Sequence, residues 1–171
     1  MSPWPRYPHW RIWSSAGQGW KVIKGTNVDK FPVCFFTSYH SCCKEQTVDL
    51  EELGLKFSMK NYTVEITLKQ WFKFVGPCVM DLSMKLISEN QQQSITTRRK
   101  YNYKDQKIGI WTEAKLIHTT NISGLKSLKF YHGSTCDLVL EDEEEQKRVG
   151  TCMAEASLSI SFPRPQLTNK S

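Results

Sequence analysis

The sequence predicts an all-β chain, an antiparallel two-sheet sandwich of jelly-roll-like form with at most one short helix. Three observations predict it. Apolar residues recur with a period of two in several stretches, the stretches are short and separated by turn residues, and no apolar stripe of period 3.6 is long enough to make a packed helix.

The elements follow in order. Residues 1–8 contain Pro3, Pro5 and Pro8 and read as an extended lead-in. The sandwich is expected over residues 9–162. Strands are expected at Val33–Tyr39 and Thr47–Leu50, then at Thr63–Leu68, where Thr, Glu and Thr alternate with Val, Ile and Leu. Asp81–Leu86 and Glu155–Ile160 alternate in the same way, as half-buried strands do. Further strands are expected at Ile95–Tyr103, Trp111–His118, Leu125–Tyr131 and Leu138–Leu140. Turns are read at Gly76-Pro77, Glu89 to Gln93, Asp105, Ser123-Gly124 and His132-Gly133-Ser134. One short helix is expected from Leu50, capped by Asp49 with Glu52 at capping-box spacing and ended by Gly54. Residues 163–171, with Pro163 and Pro165, read as a frayed tail.

Composition excludes several classes. With 171 residues, one ordinary domain with a real core is expected. At 39% hydrophobic and 12% aromatic, the chain is too apolar for intrinsic disorder. No run of about 18 apolar residues is present to span a membrane. Residues 1–8 hold no apolar block of the secretory kind, which points to a cytoplasmic protein. On that basis the sequons at Asn61, Asn121 and Asn169 read as chance matches. The net charge is +6, but the cations are scattered apart from Arg98-Arg99-Lys100, so no nucleic-acid partner is expected.

Six cysteines, Cys34, Cys42, Cys43, Cys78, Cys136 and Cys152, are expected as reduced and mostly buried thiols. There is no CxxC and no histidine at metal-ligand spacing, so no metal and no cofactor are expected. The patterns GxSxG, GxxxxGK[ST], HExxH and GxGxxG are absent as well. Glu141–Glu145 is a run of five acids, which reads as a solvated loop. His132 and Cys136 make a weak thiol–imidazole signal, and a structural histidine is the better reading. The chain is therefore expected to be a binding module rather than an enzyme.

Three segments resemble the F-box-associated domain. The first is His9-Trp10-Arg11-Ile12 with Gly17-Gln18-Gly19-Trp20-Lys21-Val22. The second runs from Cys34-Phe35-Phe36-Thr37-Ser38-Tyr39 through Cys42-Cys43-Lys44-Glu45-Gln46 to Val48-Asp49-Leu50-Glu51-Glu52-Leu53-Gly54-Leu55, followed by Lys69-Gln70-Trp71-Phe72. The third is Trp111-Thr112-Glu113, Gly124-Leu125-Lys126 and Phe130-Tyr131-His132-Gly133. The match spans residues 9–161 and is nearest to the glycoprotein-recognising branch of F-box-only proteins.

That resemblance implies a jelly-roll-like sandwich whose partner is a glycoprotein or protein substrate. In the branch it resembles, the domain captures high-mannose N-glycans of misfolded glycoproteins, and a separate F-box binds the Skp1–cullin ligase. No F-box precedes residue 9 in this sequence, so ligase recruitment is expected only if an F-box exists outside this chain. The family stacks a Phe on the core chitobiose where this chain has Tyr39, making Tyr39 the candidate glycan-binding residue. The family's loop acid is missing from Phe74-Val75-Gly76-Pro77, and Leu138 to Glu145 replaces a second aromatic wall. Glycan binding is therefore expected to be weakened or lost. The alternative is a protein-interaction sandwich that binds no sugar and has no ligase adaptor activity. Trp10, Trp20, Trp71 and Trp111 fall at motif anchors and are expected to be largely buried.

Overall fold

A computed structural model describes residues 10–14, 20–24, 30–37, 39–52, 63–89, 94–121 and 124–162, with the backbone alone for 10–14. Ten strands form two antiparallel sheets. They are β1 (Trp10–Ser14), β2 (Lys21–Lys24), β3 (Val33–Phe36), β4 (Cys42–Asp49), β5 (Thr63–Val75), β6 (Cys78–Ser88), β7 (Ser94–Asn102), β8 (Thr112–Asn121), β9 (Leu125–Cys136) and β10 (Gly150–Ser161). One sheet has the order β1-β4-β9-β6-β7 and the other β2-β3-β10-β5-β8. Only β2–β3 and β6–β7 connect neighbours within one sheet; every other connection crosses between the sheets. Such crossing is the connectivity of the expected jelly-roll-like sandwich.

The alternation in the sequence becomes the core. On β5 the even positions Val64, Ile66, Leu68, Phe72 and Phe74 are buried, and on β6 Met80, Leu82, Met84 and Leu86 meet them. Leu128 and Phe130 of β9 and Met153 of β10 complete the cluster. Each such side chain contributes about 1.5–3 kcal/mol by burial. A bulge between Ala154 and Ser157 of β10, with Glu155 at φ 45°, reverses the parity of that strand. Met153 points inward before it, and Leu158 and Ile160 pack on the same core after it.

A second, smaller cluster lies on the outer face of the β10–β5 pair. Phe31 packs 5.8 Å from Trp71 and 4.7 Å from Trp111, beside Cys34, Cys152 and Ala154. Trp20, Trp71 and Trp111 are each packed against a core cluster and keep only a minor part of their surface exposed; Trp71 stands on an odd position of β5, under Phe31 and with the Lys30 ammonium 3.0 Å from its ring centroid. The side chain of Trp10 lies outside the described residues.

Four expectations are corrected. His132-Gly133-Ser134 is no turn but the middle of β9, paired on one side with β4 and on the other with β6. The glycine answers a close approach instead: Tyr131 leans over it to put its hydroxyl 2.8 Å from Cys43 Sγ, and a Cβ on Gly133 would lie 2.8 Å from that hydroxyl. Leu138–Leu140 is not a strand; it has no ladder partner and runs as a loop after β9. The described part of the Asp49 segment is a turn, in which Asp49 Oδ1 accepts from Glu51 N at 2.8 Å. The helix among the described residues is instead α1 (Glu143–Gln146), inside the acidic run read as a loop. Asp142 caps it by accepting from Glu144 N and Glu145 N, and three acids in the first turn favour its positive end. The lead-in 1–8, the tail 163–171, Gly17–Gly19, Leu53-Gly54, Asn90–Gln93 and Ser123 lie outside the described residues.

Candidate functional site

Tyr39, the Phe74–Pro77 turn and the segment that begins at Leu138 meet at one end of the sandwich. Cys136 N, at the end of β9, donates to Tyr39 O at 3.4 Å, and Asp137 N donates to Pro77 O at 2.9 Å. The loop before β4, the β5–β6 turn and the segment leaving β9 are thereby tied together. On the other side of that turn, Gly109 N donates to Phe74 O at 2.9 Å. Loops at one end of a rigid sandwich are where such folds carry binding residues.

Tyr39 is partly buried, and both hydrogen-bonding roles of its hydroxyl are used. It donates to Leu138 O at 2.7 Å and accepts from Leu140 N at 2.9 Å. The ring lies edge-on to His40, with centroids 5.3 Å apart. Beside it opens a cleft of about 170 Å³, lined by Lys21, Phe36, Tyr39, His40, Glu143, Gln146 and Lys147. The acidic run thus contributes Glu143 to the cleft that Tyr39 lines. Gln146 Nε2 donates to Leu140 O at 2.6 Å, which docks α1 on the same loop that holds Tyr39. Lys147 Nζ lies 2.6 Å from Glu144 Oε1; this bond holds Glu144 below the usual carboxylate range and Lys147 above the usual ammonium range.

Of the site residues, Tyr39 alone was named from sequence. Lys21 and Phe36 lie inside motifs already marked, His40 follows one, and Glu143 lies in the acidic run; those positions were the available signal. Gln146 and Lys147 carried none, since their place depends on a one-turn helix that propensity alone does not create. Beyond the cleft, Leu138 and Val139 are exposed, Val139 at 91%, as are Ile108 and Ile110 in the loop before β8.

His132 and Cys136 do not meet. Four residues of one strand separate them, about 13 Å at roughly 3.3 Å per residue. His132 is buried between the sheets, and that burial, followed by the nearby Lys44 charge, pushes its imidazole well below the ordinary range. It is a neutral interior histidine, as the structural reading expected. All six cysteines are free thiols, five of them buried and Cys136 partly exposed. Among the described residues, no three of His, Cys, Asp and Glu are grouped to hold a metal ion, and no helix is long and apolar enough to cross a membrane.

Fold and cleft together define a class: a two-sheet antiparallel β-sandwich with a small polar cleft among the loops at one end. The F-box associated region family matches residues 5–160, and the chain belongs to that family. Human F-box only protein 27 is 30% identical over 107 residues, covering 58% of this chain and 36% of that protein. Bovine F-box only protein 6 is 26% identical over 140 residues, covering 72% of this chain and 51% of that protein. The chain thus spans about a third to a half of the length of these curated relatives. Among solved structures, the enzymatically active domain of bacteriophage CBA120 tailspike protein 4 is similar with a TM-score of 0.55 at 12% identity, covering 90% of this chain and 20% of that chain. At that identity the likeness is one of fold alone.

Proposed function

We propose that this domain captures protein or glycoprotein substrates for an F-box type ubiquitin ligase in the cytoplasm, through the loop end of the sandwich, and that it is not an enzyme. Membership of the F-box associated family and the names of its relatives support the ligase setting. Recruitment of the Skp1–cullin ligase follows only if an F-box exists outside this chain.

Chitobiose binding is proposed to be weak or absent, at millimolar level or worse, about −4 kcal/mol or less in magnitude. The observation that carries this reading is the pairing of Tyr39 with the segment that replaces the family's second aromatic wall. The Tyr39 hydroxyl is committed to Leu138 and Leu140, so only its ring is left for a sugar. From α1 and the residue after it the cleft receives Glu143, Gln146 and Lys147, which offer hydrogen-bonding groups to sugar hydroxyls but no flat apolar face. A stacking contact is worth about 1 kcal/mol beyond area burial, too little to hold a disaccharide by itself.

Calorimetric titration of chitobiose into the domain, with Tyr39→Phe and Tyr39→Ala beside the parent, tests this. The expected result is no saturation below millimolar sugar. Micromolar binding that Tyr39→Phe keeps and Tyr39→Ala loses would overturn the weakening; micromolar binding indifferent to both would move the site elsewhere. The second reading, a protein-interaction sandwich without adaptor activity, is favoured by the exposed Leu138 and Val139 beside the cleft. Co-purification of Skp1 with the full-length protein decides between them, since that reading requires none.

A further inference from the structure

Cys78 is the first residue of β6 and Cys136 the last of β9, and the two are register partners across the ladder. Backbone bonds define what kind of pair they make. Cys136 N donates to Tyr39 O and Cys78 N to Gly76 O, while the next pair outward is bonded through Asp137 N and Pro77 O. In an antiparallel ladder bonded and non-bonded pairs alternate, so Cys78 and Cys136 occupy a non-bonded position. Cα atoms in such a pair lie about 4.5 Å apart with side chains on one face, inside the roughly 4.4–6.8 Å span of natural disulfides.

The thiols are near enough to affect one another. Burial first, then the charge and a hydrogen bond of Cys136, push the Cys78 thiol up to about 12, against a hydrogen bond with Thr151 that lowers it. The environments differ: Cys78 is buried in the main core, whereas Cys136 is partly exposed at the rim, its Sγ 3.5 Å from Pro77 O.

We propose that Cys78 and Cys136 form a reversible disulfide site in the folded domain, closed by a peroxide. The exposed Cys136 thiolate attacks one peroxide oxygen and the O–O bond breaks, giving a sulfenic acid and, with one proton, water. Cys78 sulfur then attacks the Cys136 sulfur, the S–O bond breaks, and the departing hydroxide takes the Cys78 proton as a second water. Two thiols are oxidised by two electrons and one hydrogen peroxide is reduced to two waters. The bond ties the start of β6 to the point where residues 137–142 leave β9 to hold Tyr39, so oxidation pins one wall of the cleft. This site stands apart from the proposed substrate reading.

The test treats the reduced, folded chain with hydrogen peroxide, blocks remaining thiols, and maps bridges by non-reducing peptide mass spectrometry. The expected result is a mass loss of about 2 Da in a monomer, one Cys78–Cys136 peptide, and full recovery with dithiothreitol. That peptide is lost in Cys136→Ser and in Cys78→Ala. Closure also speeds up as pH rises, because the attack of Cys136 on peroxide needs a thiolate. Three results would overturn the proposal: a bridge from Cys136 to Cys42 instead, Cys136 advancing to sulfinic acid while Cys78 stays alkylatable after unfolding, or the Cys78–Cys136 bridge forming only in urea.

Discussion

Lys44 of β4 lies directly opposite His132 of β9, and both side chains are buried between the sheets. The ammonium sits 4.3 Å from the Phe35 ring centroid and 5.3 Å from that of Trp20, so aromatic faces replace part of its lost hydration. The neighbouring imidazole stays neutral, which spares the interior a second cation.

A pH dependence follows from Lys44. Burial lowers it from 10.5 to about 8 in the folded protein. Between those values the unfolded chain binds the proton and the folded chain does not, so stability increases with pH across this window. The contribution is fully present above 10.5 and is lost as pH falls through 8. Urea unfolding of the parent and Lys44→Met at pH 7 and 10 checks it. The parent should gain on the variant by an amount on the order of 3 kcal/mol. The opposite drift from the raised Cys78 thiol is common to both proteins and cancels in the difference. Equal stability differences at the two pH values would refute the Lys44 shift.

Tyr39 holds the loop after β9 through its hydroxyl, so Tyr39→Phe should loosen that loop while keeping the ring. Losing two partly exposed hydrogen bonds costs about 1 kcal/mol. Amide exchange at Leu140, whose N–H donates to that hydroxyl, should accelerate roughly fivefold, with the β5 and β6 amides unchanged. An unaltered Leu140 rate would mean that α1 and Gln146 hold the loop without Tyr39.

Gly150 starts β10 where no side chain fits. A Cβ there would lie 2.1 Å from Thr37 O and 2.8 Å from the Phe36 ring. Thr37 is unable to retreat, being bonded to Thr151 through both its backbone N–H and its hydroxyl. Gly150→Ala should therefore cost about 3 kcal/mol or more, a fall of roughly 6–12 °C in Tm. Gly109→Ala is the contrast. Its φ of 83° is strained for alanine but its surroundings are open, so about 1 kcal/mol is expected. Comparable losses in thermal scans of the two variants would count against the packing argument.

Much of the sandwich was legible in the chain. The alternation in Thr63–Leu68, Asp81–Leu86 and Glu155–Ile160 marks strands β5, β6 and β10, because a strand with one face in a core must repeat every second residue. Gly76-Pro77 marks the turn between β5 and β6. His-Gly-Ser at 132–134 misled because a glycine signals both a turn and a close packing contact, and only the position of Tyr131 distinguishes them. The bulge in β10 was equally hidden: Glu155 adopts its positive φ to return Leu158 and Ile160 to the core, a demand set by the neighbouring β5.

By itself the sequence determined the all-β class, the parity of its central strands, and family membership through ordered motifs, since each of these rests on local residue order. It also marked Tyr39. Only the tertiary structure decided that Tyr39 and the acidic helix line one cleft, that the Tyr39 hydroxyl is spent on Leu138 and Leu140, and that Cys78 meets Cys136. Those pairings join residues 58 to 107 positions apart. Strand order and register bring them together, and no local pattern encodes which strands will be neighbours.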